Sequence, residues 1–259
     1  MDQSYSYKSQ NKLYITILAA GSGKRMNSDL PKVLHQVKNV PMIVHIIKQA
    51  ILLQPDKFII VVSDQNKELI KSAINNYISG QNIIYVIQAK SLGTGDAVKC
   101  TLPYLEQNID NMILNGDVPL LKYSTIKSIF KYYLLHKSEM IITGINLTNP
   151  TGNGRILLNN NLCPYEIIEE KDCNNMQRTV SLVNCGIYIV KYNILANYLP
   201  LIETNNAQSE YYLTDLVKIA SKHQKNVCNL YILEDHQKNE IYNINTKEQL
   251  DLANIIQII

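Results

Sequence analysis

Between Leu18 and Lys32 the chain reads LAAGSGKRMNSDLPK, an apolar run that ends in small residues, two glycines and three cations. These residue types suit a phosphate ester. Gly21 and Gly23 can adopt positive φ, which lets successive N–H groups converge on phosphate oxygens as an anion nest. Arg25 offers a planar, permanently charged fork, and Lys32 a second, point-like charge. Ala19 and Ala20 are small enough for a flat base or a ribose to lie against the backbone. Two familiar phosphate loops are excluded by spacing. G-x-x-x-x-G-K-[ST] fails because Leu18 stands at its first glycine and Arg25 at its hydroxyl residue, and G-x-G-x-x-G fails at Met26. Many turns between a strand and a helix carry glycine, so this stretch alone leaves a plain turn and a phosphate loop both open.

ILNGDVPL, from Ile113 to Leu120, is the second informative stretch. Asp117 follows a short apolar run, which puts a carboxylate at the ligand-binding edge of a sheet. Mg2+ takes one or two protein oxygens and completes its shell with water and phosphate, so a single aspartate from this side suffices. The plain alternative is a turn aspartate before Val118-Pro119.

Both groups need strand ends to position them. Leu13–Ala20, Phe58–Ser63, Ile83–Gln88 and Met112–Leu114 read as strands, with helical patterns at Met42–Leu53, Lys67–Tyr77 and Ala97–Leu105. Short strands separated by amphipathic helices predict βαβ units, a mostly parallel Rossmann-like sheet with helices on both faces, and ligands beyond the carboxyl ends of the strands. From about residue 140 the texture becomes β-rich and Asn-rich. Met140–Asn146, Arg155–Leu158, Tyr165–Glu169 and Leu182–Val190 read as strands, and helical patterns return at Glu210–His223 and Lys247–Ile256. No linker rich in Pro, Gly or Ser divides the chain. The expectation is a loose tail over residues 1–12 and one α/β domain over 13–259, with lobes at 13–139 and 140–259.

Composition excludes several classes. Of 259 residues, 46% are hydrophobic and 18% charged, ordinary values for a soluble globular protein. A net charge of +3 without a basic stripe gives no argument for nucleic acid. The cysteines are odd in number, widely spaced and without a C-x-x-C pair, which predicts reduced thiols in the cytoplasm. No apolar stretch approaches the roughly 18 residues of a membrane span, and the polar start lacks a signal core.

LAAGSGKRMNSDLPKVLH resembles the signature of the sugar-1-phosphate nucleotidyltransferases, most closely the uridyltransferase half of the bacterial bifunctional N-acetylglucosamine-1-phosphate uridyltransferases. The resemblance continues in order through VIQAKSLGTGDAV, ILNGDVPLL, PTGNGRI, IIEEKD, VNCGIYIV and NNAQSEYYLTD. It implies the nucleotide-diphospho-sugar transferase fold with a β-rich sugar-binding lobe. The implied reaction is attack of N-acetylglucosamine 1-phosphate on the α-phosphorus of UTP, with Mg2+ as cofactor. Leu18, Ala19, Ala20 and Gly21 would hold the nucleoside, and Arg25 and Lys32 would neutralise the phosphates. Gln88, with the Gly93 backbone and the Thr94 hydroxyl, would read the uracil edge, and Asn115 and Gly116 would complete the nucleotide site. Gly154, Glu169 and Asn184 would bind the sugar. As plain alternatives, the run Glu169–Asp172 is a charged exposed turn and Glu210–Asp215 a core-packed helix start. Asp117 and Asn245 would hold the metal, with Asn243 close enough to compete.

Three residues depart from the family pattern: Lys24 for a common Thr, Asn115 for a common aromatic, and Cys185 for a common Thr after Asn184. The resemblance also stops short of the family's acetyl-transferring β-helix, so uridylyl transfer alone is expected, from a monomer or homodimer and not a trimer. The apolar LANIIQII packs on the core or against a second subunit. Another sugar phosphate or nucleotide, or a catalytically silent sugar-nucleotide-binding subunit, remains the alternative reading.

Overall fold

The computed structural model describes residues 12–21, 23–26 and 28–256; the side chain of Lys24, residues 1–11 of the expected tail and the last three residues of the apolar terminus lie outside the described residues. Lys12 opens the first strand, β1 (Lys12–Leu18). Its alternate residues Leu13, Ile15 and Ile17 enter one core and Tyr14 the other, because the strand is covered on both faces. After the glycine-rich turn, a short hairpin of β2 (Gln36–Val37) and β3 (Val40–Pro41) leads into α1 (Met42–Ile51). Ile43, Val44, Ile46, Ile47 and Ala50 bury one face of α1, and each fully buried Ile or Val contributes about 1.5–3 kcal/mol. β4 (Lys57–Val62), α2 (Lys67–Asn75), β5 (Ile83–Ile87), α3 (Thr94–Lys99) and β6 (Ile109–Asn115) continue the alternation.

Next comes α4 (Tyr123–His136), where the sequence reading assigns no element. Its Ile126, Ile129, Phe130 and Tyr133 follow helical spacing and face the core. The β-rich part contains β7 (Met140–Asn146), a hairpin of β8 (Arg155–Leu158) and β9 (Pro164–Ile168), the short α5 (Asn175–Arg178), and the long β10 (Leu182–Lys191). α6 (Tyr192–Tyr198), α7 (Asp215–His223), β11 (Cys228–Ile232) and α8 (Lys247–Ile255) complete the chain. Neither α6 nor β11 is foreseen from sequence.

The strands form one sheet in the order β11-β7-β10-β6-β1-β4-β5, with the β8–β9 hairpin attached to β10 at Val183–Arg155. β10 runs antiparallel to β6 and β7; the β5-β4-β1-β6 side is parallel throughout. The expected mostly parallel α/β sheet with a β-rich extension is therefore the observed one, and the carboxyl ends of β5, β4, β1 and β6 share an edge.

The largest departures from the expected boundaries fall on two helices. The helix expected at Ala97–Leu105 starts earlier, at Thr94, and gives way to a separate turn of 3-10 helix at Leu102–Tyr104 containing Pro103. The helix expected from Glu210 begins only at Asp215. Residues 210–213 are instead held by the loop before α3: Tyr211 N donates to Leu92 O (2.7 Å), Gly95 N to Tyr211 O (2.7 Å), and Leu213 N to Thr94 Oγ1 (3.0 Å). The loop makes this approach because Gly93 has φ 111° and no side chain, whereas a Cβ there would collide with the Tyr211 carbonyl. We expect Gly93→Ala to lower stability by about 1–3 kcal/mol in denaturant unfolding; an unchanged midpoint would show that this contact does not constrain the loop.

Candidate active site

Three strand ends meet at the glycine-rich turn. Ala19 N donates to Val61 O (2.8 Å) and Gly116 N to Leu18 O (3.0 Å), so β1 stays clamped between β4 and β6 beyond its own end. Gly23 adopts φ 60°, and a Cβ on it would press against Lys32 Cβ at 2.8 Å. The turn thus folds down onto the segment carrying Lys32. Gly21 departs from the expectation: its φ lies outside the left-handed region and a Cβ there would meet open space. Ser22, between the two glycines, lies outside the described residues.

Lys32 Nζ is paired with the Asp117 carboxylate, and donates to Asn245 Oδ1 at 3.0 Å. Arg25 Nη2 donates to the same Asn245 oxygen at 2.9 Å. Both side chains of the Lys32–Asp117 pair are largely buried, with 15% and 14% exposure, so solvent screens them less than a surface pair. One amide oxygen therefore serves two cations, and their charges exceed the single carboxylate. A polyanion is the ligand that such an excess suits.

Asn245 arrives from the far end of the chain. Ile244 N donates to Asp117 O at 3.0 Å. Ile244 packs with Val37, Met42, Leu120 and Ala253 in a separate apolar cluster that fastens α8 to the hairpin. Thr246 and Gln249 form a capping box at the start of α8, and Gln249 Oε1 also accepts from Asn245 N at 2.7 Å. T-x-x-Q before an apolar run is readable in the sequence, although its service to Asn245 is not. Asn243 donates no oxygen to the cluster; its Oδ1 is buried without a protein hydrogen bond, and its carbonyl faces Asn245 Nδ2 at 3.5 Å.

The donor set fits a hard divalent cation. Asp117 Oδ2 and Asn245 Oδ1 both reach one ammonium, Lys32 Nζ, so they converge on a point already occupied by positive charge. A carboxylate and an amide carbonyl are oxygen ligands of the kind Mg2+ accepts, with phosphate and water as the remainder. Among the described residues no group of three or more His, Cys, Asp or Glu forms a cage.

At the end of β5, Gln88 is 4% exposed. Its Nε2 donates to Gly93 O (3.0 Å) and to Asp96 Oδ2 (2.8 Å). β5 and β6 lie three strand spacings apart, about 14 Å, so Gln88 and Asp117 occupy opposite ends of one groove edge. Thr94 is exposed, and with its oxygen accepting from Leu213 its hydroxyl hydrogen is left to donate outward.

Gly154, Glu169 and Asn184 are brought together by the β8–β9 hairpin. Asn184 N donates to Gly154 O at 2.9 Å, and Glu169 Oε1 accepts from Thr214 Oγ1 at 3.0 Å. Burial raises the Glu169 pKa; the Thr214 hydrogen bond opposes this and the neighbouring Asp172, Asp215 and Glu210 add to it. Asn184 Nδ2 donates to Tyr188 Oη at 2.7 Å across a bulge in β10. The Asn115 amide lies directly over Gly186 in that bulge, joining the end of β6 to the β-rich part. Cys185 does not line this pocket: it is 3% exposed and points into the main core, because neighbours along a strand face opposite sides. Its thiol pKa is pushed up by burial alone.

Comparison with known proteins gives the chain's family and its fold. The model of the MobA-like NTP transferase domain matches residues 15–151, the stretch holding Arg25, Lys32, Gln88 and Asp117. A "Probable UDP-N-acetylglucosamine pyrophosphorylase" of Acanthamoeba polyphaga mimivirus is 56% identical over 242 residues, covering 93% of this chain and 94% of that protein. The "Bifunctional protein GlmU" of Trichodesmium erythraeum is 39% identical over 94% of this chain, which spans about half (52%) of that relative's length. A solved UDP-glucose pyrophosphorylase complexed with UDP-glucose shares the fold at TM-score 0.74 and 18% identity, over 94% of this chain and 97% of its own. The chain belongs to the family of NTP transferases with a MobA-like domain.

Proposed function

We propose that this chain is an enzyme that transfers a uridylyl group from UTP to N-acetylglucosamine 1-phosphate, releasing pyrophosphate. The observation that carries the reading is the meeting of Arg25, Lys32, Asp117 and Asn245 on one strand edge, where two cations share one oxygen. The mimivirus relative, similar over nearly its whole length, bears the name of that reaction. A phosphate oxygen of the sugar phosphate forms the new bond to the α-phosphorus, and the bond from that phosphorus to the β-phosphate bridge breaks, pyrophosphate leaving with the electron pair. No protein nucleophile is needed. Catalysis rests on holding two anions in line and stabilising charge on the departing group.

In this reading Arg25 and Lys32 bind the β- and γ-phosphates, and Lys32 gives up Asp117 as it turns to them. Asp117 and Asn245 would hold Mg2+, which would supply positive charge against the repulsion between the sugar phosphate and the triphosphate. Leu18, Ala19, Ala20 and Gly21 line the nucleoside with Asn115 and Gly116, while Gln88, Gly93 and Thr94 receive the base. Glu169, Asn184 and Gly154 take the sugar, whose hydroxyls add donors to a half-buried carboxylate that has one, Thr214. The five free cysteines suit the reducing cytoplasm. No helix among the described residues is long and apolar enough to cross a membrane.

Pyrophosphate release with Mg2+, measured across UTP, CTP, dTTP and ATP against several sugar 1-phosphates, tests the assignment. Turnover concentrated at UTP with N-acetylglucosamine 1-phosphate supports it; turnover at another pair changes the substrate. With the preferred pair, Asp117→Ala should lower kcat by roughly 10²–10³-fold, the scale for losing a principal electrostatic stabiliser. A near-normal rate would remove Asp117 from the metal site.

Glu169 yields a stability prediction as well. Its folded pKa is raised above the ordinary 4.5, so ionised Glu169 costs stability in the unliganded protein. That cost is absent below pH 4.5, grows as pH rises towards the folded pKa, and is complete above it. Glu169→Gln should therefore raise Tm at pH 7 and lose that advantage below pH 4.5, while weakening sugar-phosphate binding. A lower Tm at pH 7 would show that the carboxylate stabilises the empty pocket.

A further inference from the structure

We propose that Asp96 is a specificity-determining positioning residue: it locks the Gln88 amide so that the site presents only an acceptor to the nucleotide base. The proposal rests on the reading that Gln88 faces the base, and it explains how a symmetric-looking amide can choose one. Gln88 Nε2 donates both to Gly93 O at 3.0 Å and to Asp96 Oδ2 at 2.8 Å. A backbone carbonyl and a carboxylate only accept, so the amide nitrogen, with its two hydrogens, is the one atom that can face both. Turning the amide over would set Oε1 against two oxygens in a side chain that is 4% exposed, where nothing else satisfies it. Both hydrogens are thus used internally, and Oε1 is the atom left to meet a ligand.

An acceptor in that place discriminates by chemistry. Uracil carries an N–H at N3, which donates to Oε1. Cytosine carries a lone pair at N3 and would confront Oε1 with another acceptor. Without the lock Gln88 could turn over and serve either base, as an unrestrained amide does.

Asp96 is well placed for this role alone. It lies in the first turn of α3, one turn after Gly93, and Gly93 O also accepts from Ala97 N at 3.2 Å. The loop is braced from outside by the contacts of Tyr211 with Leu92 and Gly95, so its two acceptors keep their mutual spacing while a nucleotide enters. Asp96 itself touches Gln88 and not the base.

Equilibrium dialysis of the full chain with UTP and CTP tests this without requiring turnover, so a failure of the proposed reaction does not mask the result. Wild type should bind UTP more tightly than CTP. Asp96→Ala removes one of the two acceptors and should reduce the UTP/CTP ratio of Kd values by about tenfold or more. Asp96→Asn can still point an oxygen at Gln88, so it should retain most of the ratio even if loss of the negative charge tightens both nucleotides equally. A merely structural role would weaken both nucleotides in step and leave the ratio unchanged in Asp96→Ala; that result overturns the proposal. Absence of UTP preference in wild type would overturn it too. Turnover of wild type with UTP and N-acetylglucosamine 1-phosphate, assayed in parallel, reports separately on the reaction itself.

Discussion

The oxygen of the Asn245 amide is the point on which the site depends. Arg25 and Lys32 both donate to it, and Lys32 also pairs with Asp117, so three segments meet that are as much as 220 residues apart in the chain. Two cations held this close repel one another, and the arrangement persists because an oxygen lies between them and a carboxylate beside them. Such a cluster is balanced only in part. Its surplus of positive charge is what a triphosphate or a departing pyrophosphate would neutralise.

The sheet makes the cluster possible by ending where it does. Four parallel strands deliver their carboxyl ends to one edge, with β1 in the middle and clamped on both sides. The outer two of these four differ in chemistry: β6 runs into Asp117, and β5 into Gln88. The distance between them follows from strand spacing, and it separates a charged end of the groove from one governed by directional hydrogen bonds. The antiparallel β10 adds a third polar cluster to the same scaffold. Its bulge lets Asn184 and Asn115 approach from two parts of the chain, and Cys185 on the opposite face anchors that strand in the core.

The surroundings of Gln88 and of Glu169 are stabilised unequally. The Gln88 amide has both hydrogens satisfied and is held by a braced loop, so it is ordered before any ligand arrives. Glu169 is held among other acids with one hydroxyl partner, and its raised pKa records the cost. A pocket for hydroxyl groups gains from such a partly satisfied acceptor, since a ligand can supply further donors. A pocket that discriminates between bases gains from rigidity, since a movable amide would accept either.

Much of the scaffold was legible before any coordinates. Apolar runs of strand length, helical periodicity between them, and a glycine-rich basic turn at the end of the first run define a mostly parallel sheet covered on both faces and the strand edge where that turn lies. Local chemistry dictates those features. Even α4 is readable, from the spacing of Ile126, Ile129, Phe130 and Tyr133. What required the tertiary structure were features fixed by partners distant in sequence. Residues 210–213 have helical composition but are drawn out by hydrogen bonds to Leu92, Thr94 and Gly95. Cys185 belongs to the core and not the pocket because of the face on which it falls. Asn245, rather than Asn243, reaches Lys32 because a capping box and an apolar cluster seat α8 against the hairpin. The orientation of Gln88 is set by two acceptors on another element. Residue types and spacing determine which chemistry is on offer, but only the packing of remote segments decides which atoms meet, because hydrogen bonds and ion pairs act over a few ångströms and the sequence does not record that distance.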